Sequence, residues 1–259
     1  MFSRALKGCV LSIMICLVLI SIGCQSQNVQ SGNVSNPPNP QQVNPSTNPA
    51  SSVEPKKANS YTGSIRAIGK TNKGDFLVIA DGKNKVEDLQ APSCFGLADD
   101  KRISGTYGVV FQDLTGKQTI VAELKNLEII TPDSSKIIQM KRDKLDGVDL
   151  LFFYPQYSHC HELFYFVFGL DQKTGEPFQI SFKIDQQERL FYQTYIGERP
   201  KVVDQKLQAV VGGFTSNQFY TATFKFDREA KQFILENREP IVIEPREITR
   251  EEKITTQTE

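Results

Sequence analysis

The sequence contains no tryptophan, three methionines and only two histidines, His159 and His161, which are separated by a single residue. A histidine that could pair with a remote nucleophile is therefore missing outside one short segment. The Gly-x-Ser-x-Gly elbow of the α/β hydrolases is missing as well. An excess of one charge is also absent, since 30 basic residues face 30 acidic ones. Nucleic-acid-binding domains concentrate basic charge on one face. No segment here does so, and nucleic acid is excluded as a partner. Long apolar runs are scarce. The most aromatic stretch, residues 151–170, is interrupted by Pro155, Gln156, His159, His161 and Glu162, polar groups that would be costly in lipid.

What is present begins with a leader. Arg4 and Lys7 form a short basic start, residues 9–22 are almost wholly apolar, and no acidic residue precedes Glu54. The run is short for a bilayer span but suits the apolar centre of a secretory signal. It ends in Ser21-Ile22-Gly23-Cys24, which resembles the bacterial lipobox, with Ser21 where leucine is customary. The resemblance implies a signal peptide over residues 1–23, cleavage before Cys24, and lipid carried on Cys24. The partner it implies is a bacterial membrane, with the chain anchored on its extracytoplasmic side. Residues 24–60 are rich in Gln, Asn, Ser and Pro and hold six of the 13 prolines, but no aromatic residue. Such a stretch buries too little apolar surface to offset its ordering entropy and reads as a disordered tether. As a random coil it spans about 35 Å.

From Tyr61 the composition shifts to Val, Ile, Tyr and Phe punctuated by Gly, Asn and Asp. Strands are expected over residues 61–69, 76–81, 85–89, 103–112 and 118–130. The insert after the third strand is long enough for one helical turn. Five strands with that insert make an OB-type layout. The segments "GDFLVIADG", "ISGTYGVVFQ" and "TIVAELKNLEII" resemble the small OB-like modules of bacterial proteins, including exported ones. Residues 131–135 read as a boundary. Beyond them, residues 136–243 alternate apolar and polar in segments such as "QISFKID" and "FYTATFKFD", the pattern of strands with one face on a core. Val203, Leu207, Val210 and Val211 fall at helical spacing before Gly212 and predict one short helix. The expected class is all-β: an OB-like five-stranded barrel over 61–131, then an aromatic-rich antiparallel domain over 136–243. Residues 244–259 are charged and Thr-rich and read as a disordered tail.

Two cysteines, Cys94 and Cys160, remain after the leader and the lipid site. In an oxidising compartment they invite a disulfide. Closing a loop of about 66 residues would contribute roughly 4 kcal/mol in the chain-entropy model. The competing reading gives Cys160 to a metal together with His159 and His161, since imidazole and thiolate suit zinc or copper. On an extended chain His159 and His161 share one face while Cys160 and Glu162 take the other, so further ligands would have to come from elsewhere. Carboxylate pairs such as Glu87-Asp88, Asp99-Asp100 and Glu251-Glu252 lie beside turns or in the tail. The function expected is a non-catalytic envelope lipoprotein that presents a binding or scaffolding surface to an envelope protein or small ligand and needs no cofactor. A metal- or redox-responsive lipoprotein using His159, Cys160 and His161 is the alternative, and an exported hydrolase comes third.

Overall fold

The computed structural model describes residues 61–90, 96–158, 162–213 and 218–243, and among them every regular element is a β-strand. The first sheet holds β1 (Ile65–Lys70), β2 (Gly74–Ala80), β3 (Lys85–Asp88), β4 (Lys101–Asp113), β5 (Gln118–Thr131) and β6 (Ile138–Gln139). Thr71 closes the β1–β2 turn. Its hydroxyl donates to Gly74 O at 2.6 Å and accepts from Lys73 N at 3.1 Å. Gly74 has φ +148°, and a Cβ there would lie 2.3 Å from Gln112 O, so only glycine fits beside β4. One edge of β4 carries β2 along residues 107–113 and β3 along residues 101–104; the other carries β5, with two bulges. Bulges bend a long ribbon and deepen its twist.

All five strands expected before residue 131 are present. Among the described residues no ladder joins β5 to β1, so backbone hydrogen bonds do not close these strands into a ring. The described end of the expected insert, residues 97–100, is a reverse turn in which Asp100 N donates to Leu97 O at 3.1 Å. The chain also stays with this sheet beyond residue 131, because β6 returns to lie parallel to β1.

The second sheet comprises β7 (Lys141–Leu145), β8 (Val148–Ser158), β9 (Glu162–Asp171), β10 (Pro177–Ile184), β11 (Gln187–Arg189), β12 (Tyr192–Tyr195), β13 (Lys201–Val203), β14 (Lys206–Gly213), β15 (Gln218–Asp227) and β16 (Gln232–Ile241). Its order is β13-β14-β15-β16-β10-β9-β8-β7, with β11 added to β10 and β12 to β9. β10 makes the corner: residues 177–180 pair antiparallel with β9, and residues 181–183 pair parallel with β16. The sheet curls until its end strands meet. Val202 N donates to the Asp143 carboxylate at 3.3 Å, and Asp146 N donates to the Gln205 side-chain oxygen at 3.1 Å. Side chains bridge β7 to β13, and the sheet is a nearly closed barrel.

One expectation is corrected here. The helix predicted through Val203, Leu207, Val210 and Val211 is the β13–β14 hairpin, with Lys201 opposite Gln208 and Val203 opposite Lys206. Asp204 and Gln205 form its two-residue turn at φ +50° and +59°, the left-handed pair that matches strand twist. The buried residues are Leu207 and Ala209, at 0% and 1% exposure, a period of two. The helical spacing borrowed Val210 from the opposite face.

The core has two main parts, and the β8–β9 hairpin belongs to both. Leu150, Phe152 and Tyr154 of β8, with Leu163, Tyr165 and Val167 of β9, point into the barrel. Leu151 and Phe153, with Phe166, Phe168 and Leu170, point the other way and pack with Ala67, Phe76, Val109 and Ile129 of the first sheet. Phe76 and Phe168 stack across this junction with centroids 6.2 Å apart. Gly69 of β1 lets the sheets approach, since a Cβ there would sit 2.1 Å from Leu151 Cδ1. A strand buried on both faces reads as a continuous apolar run. That accounts for the aromatic stretch near residue 160.

Because both cores share the hairpin, Phe153→Ala and Phe168→Ala should each destabilise the whole described structure by about 3–5 kcal/mol. Urea unfolding followed by far-UV circular dichroism should show one transition shifted to lower denaturant. A new early transition accompanied by an unshifted late one would contradict the shared core.

Candidate functional site

The hairpin buried on both faces leaves the core at two ends, and each end carries a buried acid. At the first lies Asp149, fully buried. One of its carboxylate oxygens accepts from the Arg142 guanidinium at 2.6 Å and from the Gln172 side-chain amide at 2.6 Å. The other is buried without a hydrogen-bond partner. Lys73, from the β1–β2 turn of the first sheet, donates to Gln172 O, so the network ties one sheet to the other. Beside it the Asp146-Gly147 turn borders an open pocket of about 410 Å³ with Lys144 and Gln205 on its wall. The neighbouring turn is pinned by Arg228, which donates to Asp171 at 2.5 Å and to Asp146 O at 2.9 Å. Backbone amides of the turn and that guanidinium hold the Asp171 carboxyl far below the ordinary carboxylate range. This end is a clamp of ion pairs and turn hydrogen bonds.

The other end is built differently. Glu162 starts β9 and is buried, with a carboxylate oxygen accepting from the Gln193 side-chain amide at 2.8 Å. Burial pushes its carboxyl up to about 7, and the amide hydrogen bond from Gln193 opposes the rise only in part. Two residues on, Phe164 takes the same face of β9. Gln156 of β8 and Gln193 of β12 lie directly opposite Phe164 on either side, and cross-strand partners share a face. Phe191 stacks on Phe164 with centroids 4.1 Å apart, and Phe166 meets Phe164 edge-on at 5.4 Å. Phe164 and Phe191 are only partly buried, as are Val121 and Ala122 of β5, and these four edge the core between the two sheets. Leu190, next to Phe191 in the chain, is 47% exposed. The Gln156 side-chain oxygen is buried without a partner. The result is a rim of stacked rings bordered by two amides and one carboxyl.

Cys24, Cys94, His159, Cys160 and His161 all lie outside the described residues. Among the described residues no group of three or more His, Cys, Asp or Glu side chains is arranged to hold a metal ion. The structure brings together Glu162, Gln193, Gln156, Phe164 and Phe191, and sequence reasoning singled out only Glu162 among these, as a fourth member of the histidine-cysteine cluster. A usable signal existed: Asp149 and Glu162 are acids set directly against apolar strand residues, in "VDLLFFY" and "ELFYFVF". A charge at such a position has to be paired or protonated. No protein-family description, curated protein or solved structure matches the chain.

The raised Glu162 carboxyl sets a pH dependence. Between its ordinary value of 4.5 and its folded value of about 7, the folded chain holds a proton that the unfolded chain releases. Stability therefore falls as pH rises through this window, with a total loss of roughly 3 kcal/mol by pH 7. Glu162→Gln should remove this loss, leaving the variant more stable than the parent at pH 7 and little changed at pH 4.5. Equal stability of the two proteins at both values would refute the assignment.

Proposed function

We propose that the protein is a lipid-anchored, non-catalytic binding protein of a bacterial envelope, held to the membrane through Cys24 and presenting its β structure on the extracytoplasmic side. The observation that carries this reading is the order of segments in the sequence: basic start, apolar run, Gly23-Cys24, then a tether rich in Pro, Asn, Gln and Ser. A lipidated cysteine with several acyl chains anchors stably, whereas a single chain is marginal. A tether of about 35 Å lets a folded part search the space next to a membrane without being part of it.

Support from the folded part is physical rather than motif-based. A rigid β scaffold with a doubly buried hairpin can hold a recognition surface at fixed geometry. The rim at Glu162, Phe164, Phe191 and Gln193 supplies partly exposed rings with polar groups beside them, the composition of small-ligand sites. The two ends of the hairpin lie roughly 30 Å apart at the usual strand rise. Recognition at the rim therefore leaves the Asp149 clamp undisturbed.

The anchor is tested in the native host. Cys24→Ser should move the protein from the membrane fraction to the soluble fraction or leave it unprocessed at its larger mass. Mass spectrometry of the wild-type protein should find an acylated N-terminal Cys24. An unmodified mature N-terminus at any other residue would refute the reading.

A further inference from the structure

The barrel closes through side chains, and one end of the seam between β7 and β13 gathers positive charge with little to oppose it. We infer that the start of this seam, where Lys141, Arg199 and the Tyr154 hydroxyl meet, binds a small oxyanion. The inference goes beyond the anchored binding protein proposed above and uses neither its rim nor its lipid.

Register brings these groups together. Both hydrogen bonds across the seam join residues 59 positions apart, Asp143 with Val202 and Asp146 with Gln205. β7 and β13 therefore run side by side in one direction, and the same offset sets Lys141 beside Pro200, next to Arg199. Alternation along β7 fixes the face. Leu145 belongs to the barrel core, so Asp143 and Lys141 point to that side, with Arg142 and Lys144 on the other. Arg142 agrees with this, because it reaches Asp149 on the outer side of β8. Tyr154 of β8 points into the barrel and is 1% exposed, and its hydroxyl has no hydrogen-bond partner. Arg199 and Asp143 act electrostatically on that hydroxyl and on the Lys141 ammonium alike, so the four side chains share one locality.

The charges there select the ligand. Lys141 is half-buried, and among the described residues no carboxylate forms an ion pair with it. Burial and then Arg199 push its ammonium below the ordinary value, and Asp143 opposes them only in part. Both Asp143 oxygens already accept from backbone amides, of Lys144 at 2.8 Å and of Val202 at 3.3 Å. One carboxylate thus faces two cations. A partly desolvated ammonium without a counter-charge is unfavourable, as is a buried hydroxyl without an acceptor. A cationic ligand would be repelled, and an apolar one would leave both groups unmet. An oxyanion offers several acceptor oxygens on one centre, enough for an ammonium, a guanidinium and a phenol. Lys141 and Arg199 are both partly exposed, so the anion meets them from solvent. The Lys141 stem is held by no hydrogen bond or ion pair of its ammonium and can turn toward the ligand.

The test is calorimetric titration of the full-length lipidated protein in an uncharged detergent. Inorganic phosphate and succinate are the probes, measured against chloride at equal ionic strength. The inference predicts saturable binding of at least one of them at millimolar concentration or below. Phosphate alone would identify a phosphoryl ligand and succinate alone a carboxylate. Lys141→Met should weaken binding about tenfold or more, as loss of a charge-assisted hydrogen bond requires. Lys144→Met, which removes the same charge from the outward face of the same strand, should leave binding unchanged. Tyr154→Phe should match the parent in stability without the ion, since its hydroxyl has no acceptor in the protein, yet bind several-fold more weakly. If Lys141→Met fails to fold, Tyr154→Phe decides. Absence of saturable binding by both probes at millimolar concentration overturns the inference. Binding that neither Lys141→Met nor Tyr154→Phe weakens reports an adventitious ion only and overturns it as well.

Discussion

Burial of the β8–β9 hairpin on both faces is the constraint that organises this protein. Adjacent residues such as Phe152 and Phe153 both reach 0% exposure, though strand geometry sends them in opposite directions. One serves the barrel and the other serves the junction with the first sheet. At about 25 cal/mol per Å² of apolar surface, aromatic side chains of this size dominate both cores. The barrel cannot lose the hairpin without opening, and the first sheet cannot lose it without exposing Phe76 and Ile129. Both buried acids follow from the same constraint. Asp149 and Glu162 stand where the hairpin leaves the apolar interior, one neutralised by Arg142 and the other driven toward protonation.

Much of the β architecture was legible in the sequence because β-branched and aromatic residues alternate between short turn signals. The strands at 85–88, 101–113 and 118–131 fall within two residues of their expected positions. Turns such as Asp146-Gly147, with φ of +49° and +72°, announce themselves by composition. The Asp204-Gln205 turn did not, since glutamine seldom takes a left-handed conformation and a four-residue apolar spacing suggested a helix in its place. The identity of the partners was also hidden. β10 pairs with β9 over one half and with β16 over the other, a choice that depends on contacts between distant residues.

The rim was illegible for a different reason. Phe164 and Phe191 are 27 positions apart, and nothing in either segment indicates that their rings stack. Most described members of the aromatic run are core, so the run itself does not mark the rim. What separates Phe164 from its buried neighbours is the polar company across the strands, Gln156 on one side and Gln193 on the other. That company follows from pairing register, which no local pattern specifies.

The central claim is that one hairpin holds two sheets as a single cooperative structure. Native-state hydrogen exchange at β8 and β9 addresses it most directly, because amides that open only on global unfolding report the full stability of the molecule. The account predicts that the amides of Leu151, Phe153, Phe166 and Phe168 exchange together with core amides of β2 and β4, at one common free energy. Exchange of β2 and β4 at a distinctly lower free energy than the hairpin would show that the first sheet opens on its own, and would contradict it.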